Sequence, residues 1–194
     1  MLATGLSITL PDWLPGWLQS WPHSIKGETE RMAFVVELAR RNVDEVSGGP
    51  FAAAVFEQES GRLISAAVNR VVPQHASIAH AEMLALSLAQ QSLGCHDLGA
   101  PGMPAMQLVS STEPCSMCLG AVPWSGVRSL LCGARDEDAR ELGFDEGDKP
   151  SDWPRLLARR GISVRRDLLR VEAREVIGRY ALKGGEIYNG RYED

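Results

Sequence analysis

Apolar residues along the first third of the chain change their period twice. Across residues 29–46, Met32, Val35, Val36, Ala39, Val43 and Val46 recur at intervals of three and four, which predicts an amphipathic helix. Gly48, Gly49 and Pro50 end it. The apolar run of 51–58 predicts a buried strand, Ser60-Gly61 turns the chain, and 63–69 returns as a second strand of a hairpin. After the segment VVPQHAS, read as a loop, residues 80–93 carry Met83, Leu84, Leu86, Leu88 and Leu93 among alanines, a strongly helical pattern that Gly94 closes. MQLVS (106–110) predicts a short strand, Pro114 stands at the entry of a helix running to about Trp124, and SLLC (129–132) predicts another buried strand. An acidic helix-loop, DEDARELGFDEGDKP, follows. The last third predicts a short helix over 153–160, a strand over 162–165 and a helix over 171–182, before the tail GGEIYNGRYED. Helices alternating with short strands imply an α/β layered domain, and the opening hairpin makes its sheet mixed.

The ends fit this pattern less well. In residues 1–27, Trp13, Trp17 and Trp21 are four apart, on one helical face, but Pro11, Pro15 and Pro22 oppose a long helix. The segment reads as an aromatic extension packed on the body of the domain or on a partner subunit. With 194 residues the expectation is a single domain over 1–194, with the 184–194 tail a candidate lid. Twenty Lys+Arg against 25 Asp+Glu give a net charge of −5 with scattered cations, which speaks against nucleic-acid binding. No apolar run reaches the ~18 residues of a membrane span, and the start has no basic leader, so a cytoplasmic enzyme is expected. Four cysteines are too few for a disulfide scaffold.

Two short segments carry candidate chemistry: His80-Ala81-Glu82 and Pro114-Cys115-Ser116-Met117-Cys118. Both sit at predicted helix starts. Cys115 and Cys118, three apart, share one face of a first helical turn, where the dipole favours thiolates. One imidazole and two thiolates leave a fourth tetrahedral position on Zn²⁺ for water, the open site of a catalytic zinc. Glu82 would then be no ligand but a proton carrier, provided that His80 stands at the edge of its helix. A lone C-x-x-C is equally a structural zinc half-site or a redox pair; H-x-E followed by P-C-x-x-C is the signature of zinc deaminases.

The stretch from about 49 to 143 resembles the cytidine-deaminase-like superfamily, and within it the bacterial guanine deaminases. The text that carries the resemblance is GGPFAAAV at 48–55, Asn69, AHAEMLAL at 79–86, TEPCSMCLGAVPW at 112–124 and GFDE at 143–146. Trp124 and the GFDE segment are the guanine-deaminase-like features; relatives acting on transfer-RNA adenosine usually carry a small and a basic residue near position 124. The resemblance implies a three-layer α/β/α sandwich around a mixed sheet of about five strands. It implies one zinc per chain on His80, Cys115 and Cys118, with Glu82 shuttling protons. It also implies that Asn69 bonds the substrate ring, that Phe51 and Trp124 line the pocket, and that Asp145 or Glu146 contacts the amino edge or relays a second proton. Tyr188 and Tyr192 would close over the site, and two copies would pair into a homodimer through the zinc helices, aided by the Trp-rich segment.

The expected reaction is hydrolysis of guanine to xanthine and ammonia, with no nucleic-acid or membrane partner. Rival substrates are cytosine, a nucleoside, an aminated triazine or pterin, or adenosine in transfer RNA. A rival of another class is a non-enzymatic protein with a structural zinc, against which the free carboxylate of Glu82 argues.

Overall fold

The structure, a computed structural model, describes residues 4–190. Its sheet contains β1 (Ala52–Glu57), β2 (Leu63–Val68), β3 (Met106–Thr112), β4 (Ser129–Ala134) and β5 (Ser163–Arg165), in the order β2-β1-β3-β4-β5. β1 runs antiparallel to β2 and β3, whereas β3, β4 and β5 are parallel. The hairpin makes the sheet mixed, and the parallel half requires the helical crossovers that the sequence supplies.

The helices are α1 (Leu14–Leu18), α2 (Glu28–Asp44), α3 (Val71–Gln74), α4 (Ala81–Leu93), α5 (Ser116–Ser125), α6 (Asp136–Glu141), α7 (Trp153–Ala158) and α8 (Arg170–Leu182). Side chains of β3 and β4 alternate between two cores. Val109 and Leu131 pack with Met32, Val35 and Leu38 of α2 and Ile177 of α8. Leu108 and Leu130 pack on the other face with Ala85 and Leu86 of α4, Val122 of α5 and Leu157 of α7. The result is a three-layer α/β/α sandwich. Because both faces are covered, the central strands β1, β3 and β4 are buried along almost their whole length, polar positions included, rather than exposed on alternate residues.

Predicted and observed elements differ in instructive places. β3 runs on to Thr112 because Ser110, Ser111 and Thr112, polar by sequence, are buried in the ladder beside β4. The segment VVPQHAS contains a single helical turn, α3, closed by His75 in the left-handed conformation. The Trp-rich segment is placed within its own chain. After the short α1, Trp17 and Trp21 pack on Phe34 of α2 with ring centroids 5.3 and 5.0 Å away, and the Trp13 indole donates to Ser47 Oγ at 3.0 Å. This covers α2 of the same chain, which removes the segment as an argument for pairing.

The register places several chain ends together. Ala52, opening β1, lies opposite Val68, closing β2, and Ala53 pairs with Ser110 near the end of β3. Phe51, just before β1, and Asn69, just after β2, therefore meet the segment Thr112–Cys115 at the carboxyl edge of the parallel strands β3 and β4, where open α/β sheets bind ligands.

Candidate active site

At that edge, two helices start. His80 is the N-cap residue of α4 and Cys115 that of α5, each with extended backbone. His80 therefore stands outside the helical rise and its imidazole is not confined to the face opposite Glu82. His80 Nδ1 lies 3.5 Å from Cys115 Sγ and 3.5 Å from Cys118 Sγ, and the three ligand atoms are all within 4.8 Å of one another. With Zn–S near 2.3 Å and Zn–N near 2.05 Å, a tetrahedral N–S edge measures about 3.6 Å. The triangle thus has the size and donor set of a zinc site with one coordination position left over. His80 Nε2 faces the Tyr188 hydroxyl at 3.4 Å, a polar partner for the ring nitrogen not aimed at the sulfurs.

The electrostatics match. Hydrogen bonding from the Cys118 thiol lowers the Cys115 pKa to about 4, against burial and with help from His80. Cys118 is pushed up correspondingly, so the two sulfurs share one proton that a cation would displace. Burial alone would lower the His80 pKa, but Cys115, Glu82 and Glu146 raise it on balance.

Glu82, on the first turn of α4, is buried at 6% exposure and lies beside the triangle. Its Oε2 is 3.5 Å from Cys118 Sγ, and its Oε1 accepts from Ser110 Oγ at 3.3 Å. Burial, then Cys115, raises its pKa. Glu146, on the irregular segment after α6, is as buried, and burial together with Cys115 pushes its carboxyl up to about 8.

The cavity beside the triangle is lined by Phe51, Asn69, His80, Glu82, Thr112, Glu113, Cys115, Phe144, Asp145, Glu146 and Tyr188, and its free volume is about 30 Å³. Asn69 is held there by its backbone. Its N–H donates to Phe51 O at 2.9 Å, its carbonyl accepts from Asn42 Nδ2 at 3.2 Å, and Val71 N donates to its Oδ1 at 3.3 Å. Gly48 permits this: a Cβ there would stand 1.9 Å from Asn69 O. Asn69 Nδ2 donates to the Tyr188 hydroxyl at 2.7 Å. Phe51 meets Phe144 edge to face at 5.0 Å. Asp145 Oδ1 accepts from Gly147 N at 2.8 Å, so this carboxylate also shapes its own loop.

One expected pocket residue lies elsewhere. Trp124 is 87% exposed and is not among the cavity residues. The cause is helical phase: six residues beyond Cys118 is about 240° of rotation and about 9 Å of rise, whereas Val122, four residues on, keeps the cysteine's face and is buried. Tyr192 lies outside the described residues. Sequence reasoning missed Phe144, Thr112 and Glu113. Glu113 is 2% exposed, pairs with Arg166 and accepts from Asp136 N at 3.3 Å; the signal was an acid directly preceding Pro114-Cys115. A larger cavity of about 520 Å³ lies between α5 and α7 and includes none of the triangle residues.

Comparison with known proteins agrees with this geometry. A family profile, the cytidine and deoxycytidylate deaminase zinc-binding region, matches residues 26–134. A guanine deaminase of Bacillus subtilis is 36% identical over 123 residues, 60% of this chain and 74% of that protein. A solved guanine deaminase from Nitrosomonas europaea is 50% identical with a TM-score of 0.88, covering 94% of this chain and 99% of that one. A further solved structure, a variant in complex with 8-azaguanine, is 51% identical with a TM-score of 0.87, covering 92% and 98% of the two chains. Family match, fold and metal triangle lead to one conclusion: the chain belongs to the cytidine and deoxycytidylate deaminase family, zinc-dependent hydrolases that remove amines from heterocyclic rings.

Proposed function

We propose that the protein hydrolyses guanine to xanthine and ammonia. The observation that carries the chemistry is the buried Glu82 carboxylate beside a three-donor triangle of tetrahedral dimensions. A structural zinc with these three ligands would leave that carboxylate without a purpose. The choice of guanine is supported by the likeness to guanine deaminases at 50% and 36% identity, and by the polar side chains Asn69, Asp145 and Glu146 that line the cavity.

In this reading His80 Nδ1, Cys115 and Cys118 hold one zinc per chain. Zinc supplies Lewis acidity, lowering the pKa of water from about 15.7 to about 7 so that a nucleophile forms at neutral pH. Glu82 would take the first proton of the attacking water to a ring nitrogen and then carry the second, from the new hydroxyl, to the departing amine as ammonia leaves; burial keeps its carboxyl able to do both. Asn69, whose amide both donates and accepts, aligns the ring edge. Phe51 and Phe144 flank the planar base. Glu146 meets the amino edge and relays a second proton. Tyr188, in the tail, closes the cavity and excludes water, strengthening each polar contact inside.

The proposal extends to assembly and location. Trp124, 87% exposed at the end of the helix that starts at the cysteines, would be covered in a homodimer. Among the described residues no helix is long and apolar enough to cross a membrane. The four cysteines are free, which fits the reducing cytoplasm. The net charge of −5, with scattered cations, favours a free base over a nucleic-acid strand. The test is ammonia release from guanine, adenine, cytosine, cytidine and a transfer-RNA anticodon stem-loop. Guanine is expected to give xanthine and ammonia in equal amounts. Turnover of another member of the panel with none of guanine would overturn the substrate, and no turnover of any would overturn the reading.

A further inference from the structure

The segment 142–150, between α6 and α7, has no repeating hydrogen bonds of its own, yet it carries Phe144, Asp145 and Glu146 into the cavity. It is fastened to the start of α5 instead. Ser116 N donates to Glu146 O at 2.9 Å, Ser116 Oγ donates to Asp148 O at 2.6 Å, and Gly147 crosses so close that a Cβ there would meet Ser116 Oγ at 2.8 Å. The last fastening is ionic. Lys149 has a side chain only 4% exposed, and its Nζ donates to Pro114 O at 2.9 Å, the carbonyl directly before Cys115. The same Nζ is 3.2 Å from Asp136 Oδ2 at the start of α6 and 5.9 Å from the Trp153 ring centroid at the start of α7.

A buried ammonium is costly unless its three protons find partners, so its location is informative. Here a carbonyl, a carboxylate and an aromatic face come from three separate segments and meet at one nitrogen. Acidic groups crowd this side of the site: Glu82, Glu113 and Glu146 are all buried. Arg166 is engaged with Glu113, and Arg140 faces Asp136 and Asp145. Lys149 is the cation whose field acts on Glu146 against burial and Cys115.

We infer that Lys149 is a positioning residue of the active site: its buried ammonium clips the Glu146 segment to the Pro114 carbonyl and fixes where the Glu146 carboxylate stands relative to the His80–Cys115–Cys118 triangle. It touches neither substrate nor metal. The inference rests on the proposed part of Glu146 in the reaction, so the experiment includes that residue. A plain structural ion pair with Asp136 makes a different forecast, because removing both charges repairs a structural pair.

The test compares Lys149→Met, Lys149→Met/Asp136→Asn and Glu146→Gln in the full-length zinc-loaded protein, reading Tm, zinc content, kcat and KM with guanine. Lys149→Met is expected to lower kcat/KM by about 10- to 100-fold, a loss of the size that follows from misplacing a reacting group by about 1 Å. The double variant is expected to regain Tm while kcat/KM stays low and zinc stays stoichiometric. Recovery of kcat/KM together with Tm in the double variant would overturn the positioning role and leave the part of Glu146 standing. Loss of zinc in Lys149→Met would also overturn it, since the clip would then serve the metal ligands. Full activity in Glu146→Gln would overturn both the part of Glu146 and the inference built on it.

Discussion

His80 and Cys115 each stand one residue before a helix, and Glu82 and Cys118 lie within the first turns that follow. Asn69, Asp145, Glu146 and Tyr188, which face them across the cavity, stand on chain without a repeating hydrogen-bond pattern. The first group is held by α4 and α5, which are anchored in the sheet by Ala85, Leu86 and Val122. The second is held by individual contacts: Asn69 by Asn42 and Val71, the Glu146 segment by Ser116 and Lys149, Tyr188 by Asn69 itself. The difference matches the division of labour proposed above. The metal ligands and Glu82 sit on helix starts; Asn69 and Tyr188 sit on segments that individual bonds can release, whereas Glu146, on similar chain, is kept in place by the Lys149 clip.

The comparison breaks most severely on the helix side. Cys118→Ser is expected to lose stoichiometric zinc and to lower turnover by at least about 10⁴-fold, since without the metal water keeps its bulk pKa. Metal analysis beside ammonia release checks it, and a zinc-replete, active variant would contradict the triangle. Glu82→Gln comes next. It should keep zinc and Tm while kcat falls about 10²- to 10⁴-fold, because only the proton carrier is removed. Near-normal kcat there would transfer that role elsewhere, with Glu146 the first candidate.

Across the cavity the effects should be smaller and appear as substrate affinity. Asn69→Ala is expected to lower kcat/KM by about 10- to 100-fold, equivalent to about 1.4–2.8 kcal/mol of lost hydrogen bonding, with zinc retained. Part of that loss should appear as a lower Tm, because Val71 N loses its acceptor. An unchanged kcat/KM would remove Asn69 from the substrate's contacts.

Legibility in the sequence followed the same division. Periodicity located α2, α4, α8 and the β1–β2 hairpin, because each buries one face or all of a run against the sheet. H-x-E and P-C-x-x-C located the metal triangle, because a helix start converts sequence spacing into spatial spacing. Hydropathy could not reveal residues whose burial depends on a partner far along the chain. No pattern in the sequence marks Lys149 or Arg166, yet both sit over the Trp153 ring, and Arg166 pairs with the buried Glu113. The predicted strand stops at Ser110, yet Ser111 and Thr112 continue β3. Trp124 was assigned by resemblance to the pocket, although helical phase carries it away from Cys118, and that much was readable from spacing alone.

The smallest effect concerns Tyr188, and its sign separates two roles of the tail. A cavity of about 30 Å³ holds a water or two, so a purine enters only if the tail moves. Tyr188 then acts twice: it covers the site, and its hydroxyl occupies the Asn69 Nδ2 donor that the substrate needs. Truncation after Leu182 removes both roles, and loss of the cover dominates, lowering kcat/KM by about 10-fold as water enters the site. Tyr188→Phe keeps the ring and removes the hydroxyl that competes for Asn69, together with its contact to His80 Nε2, which is why zinc is measured beside the kinetics. One neutral hydrogen bond contributes about 1 kcal/mol net, so the tail opens more readily and KM falls about 5-fold with kcat little changed. Steady-state kinetics on the two variants, with zinc measured in each, checks the pair of signs. A rise in KM for Tyr188→Phe would mean that the hydroxyl binds the substrate rather than competing with it, and the ring alone would no longer account for the lid.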